Sequence, residues 1–326
     1  MNNPRATFLW VVGASSSLWY IYRAVIKQPP REEAVSPSQA SQLAIDTQGN
    51  TKRLALYEKM SASLEENGLD ATAVEKSQEA FSEAASPEWP GRWPKKYDLP
   101  FPSVRLTVIP LDTSQRTGSH KIASAGAAVS REIAAALAGY DTFANPRMRY
   151  HASLFYLSHP NDVRVDPFQP SSSKSTELAV PSDALLEREL SAVTQLAAST
   201  SPITLEVSSV VFTSSGTLLL LFTDATRPAK DIAPLDLFRQ QMRSIFPGAP
   251  AAQPSPIVHC TLLRLISPVA TLPNPTIQKI AAICSEWTAK LRGTTFIVDR
   301  LWHVHESEFS TLEGLRETIM LRSDLK

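Results

Sequence analysis

The sequence predicts an α+β fold. Segments with period-two alternation of apolar residues are mixed with segments of helical period, and two strand-like segments within 203–222 follow one another across the turn Ser214-Ser215-Gly216. Adjacent strands joined by a short turn pair antiparallel, which separates this pattern from a parallel βαβ array. A third observation sets where the folded body begins: "SPEWPGRWPKKYDLPFP", residues 86–102, holds too many prolines to continue any helix and reads as a domain boundary.

Taken in order, the chain opens with "ATFLWVVGASSSLWYIY", residues 6–22, which has no charge. As a helix it spans about 25 Å at ~1.5 Å per residue, slightly short of a ~30 Å hydrocarbon core. Letting Arg23 snorkel extends the stretch to Ile26, and Trp10, Trp19, Tyr20 and Tyr22 suit the membrane interface. Residues 1–27 therefore read as a membrane anchor. The cations that follow, Arg23, Lys27 and Arg31, favour a catalytic domain held on the cytosolic side. With no acid before Glu32, mitochondrial targeting is the alternative, and a cleaved secretory signal a third reading. Residues 28–96 turn to Ser, Gln, Glu, Ala and Pro and read as a linker. Within it "RLALYEKMSASLEENG" sets Leu54, Tyr57, Met60 and Leu64 on one helical stripe, ended by Gly68, and a second short helix follows. Weakly amphipathic tether is the expectation for both.

Residues 97–326 hold the folded domain. "SVRLTVIP" alternates like a strand, and "KIASAGAAVSREIAAALAG" is an Ala-rich helix closed by Gly139. "RYHASLFYL" is a strand, followed by a long polar loop from Ser158 to Ser182. A helix capped near Asp183, the paired strands of 203–222, the helix "PLDLFRQQMRSIF" and the strand "PIVHCTLLRL" come next. The helix "PTIQKIAAICSEWTAKL" precedes the closing strands "TTFIVDRLWHVHES" and "ETIMLRS".

Composition excludes some functions. Hydrophobic residues make up 43% and charged ones 20%, which is ordinary for a globular core. The net charge is zero, against the basic stripe that phosphate neutralisation gives a protein gripping long duplex. A small nucleotide or a strand end needs only a local pocket. Cys260 and Cys284, the two cysteines, can form neither a disulfide framework nor a four-Cys zinc site, and both read as small buried hydrophobes in a reducing compartment.

Two segments carry chemistry, "HASLFYL" from His151 and "HCTLLRL" from His259. Each reads His-small-hydroxyl-Leu-x-x-Leu in a strand. Residues i and i+2 of a strand share a face, so His151 projects with Ser153 and His259 with Thr261, while Ala152 and Cys260 point the other way. Side by side, such strands would offer two imidazoles and two hydroxyls to one cleft. A neutral imidazole can take a proton from water or a sugar hydroxyl, and a protonated one can return a proton to a leaving alkoxide. The hydroxyls can hold non-bridging phosphate oxygens. A His-x-Ser/Thr triplet alone is weak evidence: His305-Glu306-Ser307 is a third, in a polar run. The longer shared pattern, equally placed between helices, is what distinguishes the other two.

In these motifs, 108 residues apart, the chain resembles the 2H phosphoesterase superfamily, the LigT-like RNA 2′,3′-cyclic phosphodiesterases and 2′-5′ RNA ligase-like proteins. The resemblance spans about 97–322. It implies a bilobal fold of two antiparallel-type sheets, flanked by helices, with a central cleft. It implies that His259 activates water and His151 protonates the leaving oxygen, with Ser153 and Thr261 binding phosphate. It implies a metal-independent reaction without a cofactor, on a nucleotide or an RNA end; a monomer is expected, and the balanced charge argues against long duplex nucleic acid. The first motif has Ser where many relatives have Thr, and the 158–182 loop is long, which leaves substrate choice open.

Other residues have two readings. Arg264 matches the family's arginine, yet alternation places it opposite His259 unless the strand bends. Phe155 shares a face with His151 by alternation and can stack on a base, or pack in the core, whereas Tyr156 is expected in the core. Trp302 and His303 line the cleft if the closing strand borders it as in that family. His303 and His305 form an HxH pair, but no third ligand is evident, so no metal is expected. The chain lacks a Walker A, a Rossmann fingerprint and a GxSxG elbow. A catalytically weak, membrane-tethered nucleotide-binding module or scaffold is the alternative to an enzyme.

Overall fold

The computed structural model describes residues 48–82, 91–111, 117–170, 180–226, 232–254, 256–267, 269 and 271–322. The anchor expected at 1–27 lies outside these residues. No helix among those described is long and apolar enough to cross a membrane.

The fold is α+β. Its helices are α1 (Gln48–Asn67), α2 (Ala71–Glu79), α3 (Ser119–Ala136), α4 (Asp183–Ser199), α5 (Pro234–Ile245) and α6 (Asn274–Leu291). Its strands are β1 (Val104–Pro110), β2 (Thr142–Ala144), β3 (His151–Ser158), β4 (Ile203–Phe212), β5 (Thr217–Asp224), β6 (His259–Leu265), β7 (Thr295–Val298), β8 (Arg300–Glu306) and β9 (Gly314–Met320).

The strands form one antiparallel sheet in the order β7-β4-β5-β6-β3-β1-β8-β9, with β2 paired to β6. The expectation of two sheets is corrected here: the two motif strands, β3 and β6, pair with each other and join what would be separate halves. The join is narrow, with Ala152 opposite Cys260 as its matched pair.

One face of the sheet carries the main core. Leu218, Leu220 and Phe222 of β5, Cys260, Leu263 and Leu265 of β6, and Ala152 and Phe155 of β3 are buried there. Helices α3 and α6 pack beneath β6 and β4, and α4 and α5 beneath β8, β9 and β3. At Gly126 of α3 a Cβ would stand 3.0 Å from Leu262 and 3.1 Å from Tyr150, so this glycine lets the helix approach the sheet closely.

The opposite face is covered in part by α1. Leu56, Tyr57 and Met60 pack on Val211, Leu219, Leu221 and Ile257. The Tyr57 hydroxyl lies 2.8 Å from the Phe222 carbonyl and 3.1 Å from that of Val258, and accepts from Val258 N–H at 2.9 Å. Arg53 is fully buried, bonded to the Pro256 carbonyl and paired with Asp236 at 2.7 Å. The stripe read from the sequence is therefore real, but its helix is docked and not a tether. Leu54 is the exception, being exposed while Leu56 is buried. The proline-rich segment continues the packing: Phe81, Trp93 and Tyr97 cluster with Phe143, Ile266 and Phe309.

Candidate active site

Ala152 and Cys260 are opposite one another and buried in the main core. Their neighbours on each strand point to the other face. In an antiparallel pair, one step from a matched pair in either direction gives the next. Ser153 thus stands across from His259, and His151 across from Thr261. Each imidazole is thereby set beside the other motif's hydroxyl across the seam. Ser153, His259 and Thr261 are nearly buried and His151 is half-buried, so the cluster opens to solvent at the His151 side.

The tautomer of His151 follows from its neighbour. Its Nδ1 lies 2.8 Å from the Arg149 carbonyl, which can only accept, so Nδ1–H is the donor and Nε2 carries the lone pair of the neutral ring. Among the described residues, Nδ1 of His259 is buried without a partner. Burial pushes His259 down to about 3, with the positive charges of His151, Arg264 and Arg239 adding to it. Burial likewise pushes His151 down to about 4, against the opposing bond to Arg149. Both shifts hold the rings in their neutral form at pH 7.

Two β-bulges change which residues join them. In β3 the register against β1 slips between Ser153, opposite Val108, and Phe155, opposite Thr107, so Leu154 is the extra residue. Beyond the bulge the alternation is inverted. Phe155, read either as a base-stacking residue or as a core one, turns into the core, is buried, and packs on Phe246 at 6.3 Å. Tyr156, expected in the core, turns to the histidine face, with its hydroxyl 3.5 Å from Ser153 Oγ. In β6 the register against β5 slips between Thr261, opposite Leu219, and Leu263, opposite Leu218. This brings Arg264 to the face of His259 and Thr261, the bend that its expected role required.

Arg264 is buried, and Nη2 donates to Ser310 Oγ at 3.3 Å. Its guanidinium lies 5.2 Å from the Phe309 ring centroid. Among the described residues no carboxylate pairs with it, and burial pushes its pKa down to about 10. Nearby, the buried Glu306 accepts from the Tyr97 hydroxyl at 2.8 Å and from Leu312 N–H at 2.9 Å, and burial pushes it up to about 7. The loop between β8 and β9 supplies Phe309, Ser310 and Leu312, and holds Ser310 and Leu312 at φ 57°. Left-handed backbone at two non-glycine residues is strain of the kind that gathers where a loop is forced against a site.

Trp302 of β8 lies across Val108 of β1 from Ser153 and on the same face, half-buried, with the Arg316 guanidinium 4.9 Å from its ring. His303, expected beside it in the cleft, is on the reverse face by alternation. It is buried, with neither ring nitrogen partnered among the described residues, and its ring stands edge-on to His305 at 5.2 Å. Among the described residues no three His, Cys, Asp or Glu side chains are grouped to hold a metal ion.

The sequence reading missed Tyr156, Tyr97, Glu306 and Ser310. No local signal marks the bulge that turns Tyr156. Tyr97 was visible only as a residue beside the boundary.

The chain resembles the 2H phosphoesterases in its two motifs, which the fold sets on neighbouring strands and on one face. No protein-family model matches the chain, and no curated protein does. Solved structures similar in chain path include ATU0111, a conserved protein of unknown function from Agrobacterium tumefaciens str. C58, at 16% identity and TM-score 0.46, covering 67% of this chain and 84% of that one. TT0787 of Thermus thermophilus is similar at 13% identity and TM-score 0.43, over 68% of this chain and 99% of that one. Usb1 of Kluyveromyces marxianus is similar at 10% identity and TM-score 0.39, over 67% and 98% respectively.

Proposed function

We propose that the chain is a two-histidine phosphodiesterase that opens 2′,3′-cyclic phosphates or cleaves 2′,5′-phosphodiesters of small nucleotides or RNA ends. The observation that carries this reading is the register around Ala152 and Cys260, which sets two imidazoles and two hydroxyls alternately at the corners of one patch. Neutral His259 takes a proton from water as the water oxygen bonds to phosphorus. The bond from phosphorus to the leaving sugar oxygen breaks, and His151, protonated at Nε2, returns a proton to that oxygen. Ser153 and Thr261 donate to non-bridging oxygens, and Arg264 meets the negative charge. Trp302 offers a ring face to the base, about two strand spacings, or roughly 10 Å, from Ser153.

His151 carries the proton only once its pKa rises from about 4. A phosphodiester anion bound among the hydroxyls supplies that change, because an opposite charge within ~4–6 Å favours the charged ring. The same depressed pKa favours the second reading, a nucleotide-binding module of low turnover tethered to a membrane through residues 1–27. Isothermal titration beside product analysis separates the two, since a binding module retains affinity and makes no product. Thr261→Val tests the phosphate-binding role: about tenfold or greater loss in kcat/KM is expected from one missing hydrogen bond to a charged group, and wild-type kcat/KM would refute it.

A further inference from the structure

Beyond the Ala152–Cys260 pair the two motif strands part. On one side Val258 is taken by β5 and α1: its carbonyl accepts from Phe222 N–H at 2.9 Å and its N–H donates to Tyr57. On the other side the main chain of β3 has lost its neighbour, and side chains replace it. The Gln253 amide accepts from Tyr156 N–H at 2.8 Å and donates to the Tyr156 carbonyl at 2.9 Å. Arg239 of α5 fills the fork itself. Its Nε donates to the Leu154 carbonyl at 3.1 Å, and Nη2 donates to the carbonyls of Ser153 at 3.2 Å and Ile257 at 3.0 Å. Buried main-chain carbonyls need such partners, and a planar guanidinium can serve several in fixed geometry.

Among the described residues Arg239 has no carboxylate partner. Asp236, one turn earlier on the helix, is engaged by Arg53. Arg239 is itself nearly buried, and its Nη1 is without a partner among the described residues. We propose that Arg239 is a positioning residue for the two-histidine site, fixing the fork from which Ser153 and His259 project and supplying an unpaired buried cation beneath them. This rests on the phosphodiesterase reading for its catalytic consequence but not for its geometry. The titratable and charged groups facing His259 are His151 from β3, which repels only when protonated, Arg264 from its own strand and Arg239 from α5, and each holds the ring toward its neutral form.

The test uses the full chain with labelled histidine, followed by NMR at His259, in wild type, Arg239→Met, Arg239→Lys and Arg243→Met. Arg243 lies on the same helix, bonds the Ala249 and Pro250 carbonyls and stands over the Phe155 ring at 5.5 Å, with no bond among the described residues to the fork carbonyls of Ser153, Leu154 and Ile257. In Arg239→Met the His259 midpoint is expected to rise, seen as a larger protonated fraction of the ring at pH 5 than in wild type, with burial still the larger cause of its depression. Arg239→Lys and Arg243→Met are expected to leave the ring neutral there. Both Arg239 variants are expected to lower kcat tenfold to about a hundredfold, as misplacement by ~1 Å does, with KM changed less than about threefold. Arg243→Met is expected to keep both. An unmoved His259 midpoint in folded Arg239→Met overturns the proposal, whatever its turnover. If that variant does not fold, wild-type kcat in Arg239→Lys overturns it instead. A moved midpoint in a chain whose wild type turns over nothing leaves Arg239 as assigned and removes the phosphodiesterase reading.

Discussion

His303 sits fully enclosed with two nitrogens and no partner for either among the described residues, a cost that grows in acid. Burial holds it at about 3, against an ordinary value near 6.5. Between those values the unfolded chain binds the proton and the folded chain does not, so stability falls as pH drops below about 6.5 and continues to fall toward about 3. By pH 5 this one ring costs up to about 2 kcal/mol. His303→Leu is expected to raise the urea midpoint more at pH 5 than at pH 7.5; equal shifts at the two pH values would contradict it. His259 and His151 are pushed down in the same direction, which under the proposed mechanism keeps His259 available as a base at neutral pH. The acid limb of kcat/KM, set by the free enzyme, is accordingly expected well below pH 6. A limb near 6.5 would show that His259 is not buried as described.

At the scale of elements, two single-residue bulges and one docked helix decide which side chains share the histidine face. Alternation along β3 and β6 was legible, and it placed His151, Ser153, His259 and Thr261 on one face as found. It failed from Leu154 and from Leu262 onward, because an inserted residue exchanges the two faces and leaves no mark in composition. Strict alternation put Phe155 on the histidine face and Arg264 on the reverse one, and the bulges exchange the two. The helix α1 was legible as a stripe of Leu54, Tyr57, Met60 and Leu64, but not as a wall of the sheet. Its partners, Leu219, Leu221 and Ile257, lie more than 150 residues away. Tyr57→Phe removes a hydroxyl that serves Val258, the residue before His259, and is expected to cost about 1 kcal/mol. A chain truncated to begin at Tyr97 loses Tyr57, Met60, Val74 and Phe81 from the packed interior. It is expected to lose cooperative thermal unfolding, while one beginning at Gln48 keeps it. Two identical melting curves would return α1 to the status of a tether.

At the scale of the molecule, one sheet carries everything, and the proposed site lies on its narrowest seam. The strands on either side bring different resources to that seam: β5 and α1 an apolar wall, β1 and β8 the half-buried Trp302 and the Glu306 cluster. Overall charge is balanced, and the cations near the histidines, Arg264 and Arg239, are buried inside the site and not spread as a surface stripe. Recognition of one or two phosphates gives a shallow salt dependence. Between 50 and 200 mM salt kcat/KM on a dinucleotide is expected to fall less than about tenfold. A loss of a thousandfold would point to a long polyanion held across the surface.

The central claim is that His151 and His259 act together as acid and base on a phosphodiester. It is tested by incubating the full chain, in EDTA, with 2′,3′-cyclic nucleotides and 2′,5′-linked dinucleotides and resolving the products by chromatography. Turnover of at least one substrate class is expected, lowered by about 10²–10⁴-fold in each of His151→Ala and His259→Ala with folding retained. Wild-type turnover in both variants, or no turnover by the folded chain on any substrate, would contradict the account.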